Sequence, residues 1–88
     1  MCSHGHQAFG DPEAMRRLTG AVDELRSSHS ESALMHAELV ARDALLDGNP
    51  WARTLARGVL AVVELVREGR GAEADELIAG ELTRALPA

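Results

Sequence analysis

The sequence predicts an all-α protein, a small antiparallel four-helix bundle preceded by a flexible N-terminal arm. Apolar residues recur at helical spacing in four segments, Pro, Gly and capping residues separate those segments, and no stretch alternates apolar and polar residues as strands do. We expect helices over about 12–27, 29–47, 50–68 and 72–86. These helices form a single domain, residues 11–88, and the arm is residues 1–10.

The first helix begins at a clear start signal. Asp11 is the expected N-cap, Pro12 takes the first helical position and Glu13 places an acid in the first turn. Its apolar positions are spaced three and four residues apart and form one narrow stripe: Met15, Leu18, Val22 and Leu25. Ser28 and Glu31 fit a capping box, which favours a break here over one helix continuing to residue 47.

The second helix has an unusually wide apolar surface, and Gly48 is expected to end it. One side carries Ala33, Leu34, Ala37, Val40, Ala41, Ala44 and Leu45, and beside it lie Met35, Leu39 and Leu46. An apolar arc of this width predicts contact with more than one neighbour.

The third helix starts at Asn49-Pro50, which repeats the cap-then-Pro signal, and Gly69 closes it. It is the most hydrophobic of the four and is expected to be the central element of the core. The fourth helix carries three acids in its first turn, where the helix dipole favours negative charge. Gly20, Gly58 and Gly80 fall inside helices, and either close helix approach or a GC-rich coding bias accounts for them.

Composition narrows the classes of partner. The net charge of −5 argues against nucleic acid, because phosphate binding requires a basic surface. The longest apolar run, 59–63, is far shorter than a membrane span, and no signal peptide precedes the domain, so we expect a cytoplasmic protein that does not enter a membrane. The single cysteine excludes an internal disulfide.

Protein–protein interaction is the function that this sequence favours. The second and third helices are more apolar than one face of a bundle requires, which predicts a homodimer or an accessory subunit that packs these helices against a partner. The candidate interface residues are Leu34, Leu39, Trp51, Leu55, Val59, Val62 and Val63. The alternative is that both helices are simply interior to a monomer.

A metal-handling protein is the second candidate, because Cys2, His4 and His6 cluster near the start of the chain. Removal of Met1 would make His4 the third residue, and its imidazole, the terminal amine and two backbone amides form a square-planar nitrogen set suited to Cu(II) or Ni(II). The thiolate of Cys2 and the imidazole of His6 favour Cu(I) or Zn(II) instead. This reading predicts a metallochaperone or sensor.

A small helical enzyme is the third candidate, but no residue in the sequence indicates a catalytic site. The serines between positions 27 and 32 are better explained as helix caps than as nucleophiles, and the isolated glycines form no phosphate loop. A dimetal site in a helical bundle needs Glu-x-x-His pairs on two helices, and this sequence has none, because Glu31 and His36 are five residues apart. We expect His29 at the surface and His36 half-buried.

Overall fold

Helices account for almost all of the computed structural model, which describes residues 12–86. The helices are α1 (Pro12–Ser27), α2 (Glu31–Ala44), α3 (Pro50–Arg67) and α4, which begins as Gly71–Leu77 and continues to residue 85. No strand occurs within this described part of the chain. The predicted all-α class and the break between the first two helices are therefore confirmed, whereas the predicted arm, residues 1–10, lies outside the described residues.

Helix α2 is shorter at both ends than the sequence predicts. Its N-cap is Ser30, whose hydroxyl accepts a hydrogen bond from the Ala33 N–H at 3.2 Å, whereas Ser28 accepts one from the Ser30 N–H. The predicted capping box of Ser28 and Glu31 is therefore wrong: Ser30 caps the helix alone, because Ala33 at the third helical position has no side chain that could reach back to it. The helix ends at Ala44, and Leu46 lies in the turn that follows.

Helix α3 has the predicted ends. The Asn49 side chain accepts a hydrogen bond from the Trp51 N–H at 2.9 Å. At the other end Gly69 adopts a φ of 80°, and the N–H groups of Gly69 and Arg70 donate to the carbonyls of Val66 and Leu65. This is a Schellman motif, in which glycine is favoured because it reaches positive φ without a steric cost.

Helix α4 contains a π-helical turn, Ile78–Leu82, before a last α-helical turn, Thr83–Ala85. The Thr83 hydroxyl lies 2.6 Å from the carbonyl oxygen of Ile78, five residues earlier, and donates a hydrogen bond to it. Arg26 of α1 donates to the same hydroxyl at 2.6 Å. The Thr83 hydroxyl thus links the π-helical turn to α1 through two hydrogen bonds. The helix predicted over 72–86 is therefore not α-helical throughout.

The core is aliphatic and rich in small residues. Within residues 12–86 it comprises 18 buried side chains, eight of them alanines, which let the helices approach closely. Contacts join α1 to α2, α2 to α3, α3 to α4 and α1 to α3. No helix among the described residues has the length and hydropathy needed to span a membrane.

Candidate functional site

The predicted interface residues fall into two groups in the structure. Five of them are at most 3% exposed and belong to the chain's own core: Leu34, Leu55, Val59, Val62 and Val63. The other two present surface, since Leu39 is 72% exposed and Trp51 is 50% exposed. Of the seven predicted interface residues, only Leu39 and Trp51 are therefore accessible to another chain in this conformation.

Three large apolar side chains line the outer side of α2 and the turn after it. Met35 is 60% exposed, Leu39 is 72% exposed and Leu46 is 85% exposed. Met35 and Leu39, four residues apart, lie on the side of α2 opposite the buried Ala37 and Ala41, and Leu46, in the turn after the helix, lines one groove with Leu39, so the three form one stripe. We call Met35, Leu39 and Leu46 the α2 outer face. It is the candidate functional site.

A shallow groove of about 520 Å³ runs along this face toward α1. Its lining combines apolar and charged side chains: Arg17, Leu39, Val40, Arg42, Asp43 and Leu46. Arg17 of α1 lies 3.8 Å from the Asp43 carboxylate and forms an ion pair with it along the groove. The groove therefore combines three apolar side chains with charged side chains of both signs.

The opposite edge of the α2 outer face is formed by an ion-pair network that joins α2 to α3. Glu38 accepts hydrogen bonds from Arg42 at 2.8 Å and from Arg67 of α3 at 2.9 Å. Arg67 also donates to Glu31 at 3.1 Å. The hydrogen bond from Arg67 holds the pKa of Glu38 below its usual value, and Glu38 raises the pKa of Arg67. Both groups are accordingly charged at neutral pH.

The two described histidines each pair with a carboxylate on another helix. His36 Nδ1 lies 2.9 Å from Glu24 Oε1 of α1, and His29 Nε2 lies 3.1 Å from Asp75 Oδ1 of α4. Their expected exposures are reversed, because His36 lies on the surface beside α1 whereas α4 partly covers His29.

Metal-ligating residues do not converge in the described part of the chain. Within residues 12–86, no group of three or more His, Cys, Asp or Glu side chains could hold a metal ion. The predicted ligands Cys2, His4 and His6 lie outside the described residues.

Two members of the α2 outer face, Met35 and Leu46, were missing from the predicted interface. The sequence does contain a signal for them, namely their spacing from Leu39. The spacing indicates a surface stripe only when the alanine side of α2 is known to face the core.

Comparison of this chain with models of protein families, with curated proteins and with solved structures finds no match.

Proposed function

We propose that this chain is a small helical interaction protein that binds another protein chain through the α2 outer face. The observation that carries this proposal is the exposure of Met35, Leu39 and Leu46 in one continuous stripe. Single exposed apolar residues are common on soluble proteins, but a contiguous row of large ones is typical of a contact surface.

The spacing of this stripe favours a helix as the binding element. Apolar side chains at four- and seven-residue intervals are the pattern by which one helix packs along another. Fully burying a Leu or Met side chain contributes about 1.5–3 kcal/mol, so the three together supply a substantial gain on association. The bound chain is either a second copy of this protein or a subunit that it accompanies.

Two further properties are proposed with this function. The helices form an antiparallel up-and-down bundle, because the connections 28–30, 45–49 and 68–70 are short enough to reverse the chain between neighbours. The protein acts in the cytoplasm and does not bind nucleic acid, which its net charge of −5 disfavours.

Site-specific photo-crosslinking tests the interaction. A photo-crosslinking amino acid replaces Leu39, and in a matched control it replaces Ala61, an exposed residue on α3. We expect a discrete adduct from position 39 and none from position 61 in cells that make the protein. The adduct is identified by mass spectrometry and the complex rebuilt from purified components. No adduct from position 39 overturns the proposal.

A metal role for Cys2, His4 and His6 is the second candidate function. The observation that favours it is the position of His4, which becomes the third residue when Met1 is removed. The amine, two amides and an imidazole then surround one Cu(II) or Ni(II) ion in a plane. Protein purified without a tag, analysed for metal beside a His4→Ala variant, tests this role.

A further inference from the structure

We propose that the α2 outer face binds a second copy of this chain, with the two α2 helices antiparallel and related by a two-fold axis that passes close to Leu39. This proposal rests on the proposed interaction function and specifies its partner. Different outcomes of the experiments below would overturn the interaction function and the assignment of a second copy as its partner.

The register follows from the positions of the apolar side chains. A two-fold axis level with residue 40, next to Leu39, places residue 38 of one copy opposite residue 42 of the other. Met35 of one copy then lies opposite residue 45 of the other, next to Leu46 in the turn after α2, and the two Leu39 side chains lie on either side of the axis. Residues advance about 1.5 Å each along a helix, so this register brings all three apolar positions to within about one residue of their symmetric places.

The charges beside the stripe complement each other in this arrangement. A perpendicular two-fold axis brings each edge of α2 against the same edge of the second copy, running in the opposite direction. On the α3 side, Glu38 faces Arg42 of the second copy. A parallel two-fold arrangement would instead set the α3-side edge of one copy against the α1-side edge of the other, so the pairing of Glu38 with Arg42 between copies would not form.

The charge balance of this patch also favours self-association. The chain carries a net charge of −5, yet the ion pairs along the two edges of the stripe join three cations, Arg17, Arg42 and Arg67, to three anions, Glu31, Glu38 and Asp43. Two copies of an acidic protein therefore meet here without the repulsion that most of their surface would impose.

The first experiment measures oligomeric state with purified protein. The interface is small, so we expect a dissociation constant of about 1–100 μM by light scattering or sedimentation over a concentration series. Leu39→Glu should weaken dimerisation at least about tenfold, because it sets two like charges face to face at the axis. Ala61→Glu adds the same charge outside the patch and should leave the dimer intact. A wild-type chain that stays monomeric through about 500 μM overturns the proposal.

The second experiment tests the register by cysteine crosslinking in a Cys2→Ser background. Leu39→Cys should form a disulfide with itself under mild oxidation, because both copies of position 39 lie near the axis. Met35→Cys and Leu46→Cys should each crosslink poorly alone and well when the two variants are mixed. Met35→Cys that crosslinks to itself while the mixture does not would establish a parallel arrangement and overturn the proposal.

The photo-crosslink from position 39 distinguishes a second copy of this chain from a different protein partner. A product of twice the mass of the chain supports the second copy. An adduct to a different protein overturns this inference and leaves the interaction function standing, and the absence of any adduct overturns both.

Discussion

The side chain of Leu82 on α4 fills the space that a β-carbon at Gly58 on α3 would occupy. A β-carbon built at position 58 overlaps Leu82 Cδ2, and Leu82 is itself only 3% exposed. The glycine thus allows α3 and α4 to approach each other at the π-helical turn. The other two interior glycines differ, since nothing lies within 4 Å of a β-carbon at Gly20 and only Arg84 approaches one at Gly80.

Gly58→Ala and Gly20→Ala should therefore change stability in opposite directions. At position 20 alanine gains helix propensity without a clash, so the free energy of unfolding should rise by about 0.5–1 kcal/mol. At position 58 the buried Leu82 must change its rotamer, and we expect a loss of about 1–2 kcal/mol. Chemical denaturation of both variants beside the wild type measures the difference.

A double-mutant cycle identifies the cause of the Gly58→Ala effect. In a Leu82→Ala background the clash is absent, so Gly58→Ala should become neutral or stabilising. If Gly58→Ala is equally harmful in both backgrounds, contact with Leu82 does not explain the glycine.

The sequence alone could not separate Gly58 from Gly20. Both are glycines inside amphipathic helices, and the difference depends on where a second helix lies. The ends of α3, by contrast, were predictable, because Asn49, Pro50 and Gly69 act on the backbone within a few residues of themselves. The local signals at the two ends of α3 were predicted correctly, although the cap of α2 was wrongly assigned to Ser28 instead of Ser30, whereas contact between helices could not be inferred at all.

The orientation of α2 in the bundle likewise could not be predicted from the sequence. Both sides of this helix are apolar, so hydrophobicity alone does not indicate which side is buried, and the larger side chains are the more natural choice for a core. The structure instead buries Ala33, Ala37, Ala41 and Ala44 and leaves Leu39 exposed. Small residues permit close packing against α1 and α3, and this preference depends on the fit between helices, which no single segment encodes.

Thr83→Val should weaken the π-helical turn. The substitution keeps the shape of the side chain but removes the hydroxyl that donates to the Ile78 carbonyl and accepts from Arg26. We expect the free energy of unfolding to fall by about 1 kcal/mol, the usual contribution of such hydrogen bonds. Thr83→Ser keeps the hydroxyl and should retain most of the stability in the same denaturation experiment. Equal losses in both variants would show that the hydroxyl is not what stabilises the turn.

Glu38→Gln should make the stability of the fold less dependent on pH between pH 7 and about pH 3. Arg67 holds the pKa of Glu38 below its usual value in the folded chain. A carboxyl with a depressed folded pKa contributes stability that is present above its unfolded pKa and lost as the pH falls through its folded pKa. The variant should therefore be less stable than the wild type at pH 7, and the difference should shrink toward about pH 3.

Thermal unfolding across this pH range measures the effect of Glu38→Gln. Glu64→Gln is the matched control, because Glu64 is exposed on α3 and has no ion pair within residues 12–86. It should leave the pH dependence of stability unchanged. A difference between wild type and Glu38→Gln that stays constant from pH 7 to about pH 3 would mean that the charge of Glu38 is not responsible.

If the N-terminus binds Cu(II) in a planar site, binding should require His4 but not His6. Intact-mass spectrometry should show a chain that has lost Met1, which makes His4 the third residue. Cu(II) bound by the amine, two amides and His4 should then give the visible absorption of a square-planar nitrogen site. His4→Ala should abolish that absorption, whereas His6→Ala should preserve it, because His6 contributes none of the four planar nitrogens. Retention of Met1, or equal absorption in the two variants, would exclude the planar site, since its geometry requires a free amine two residues before the histidine.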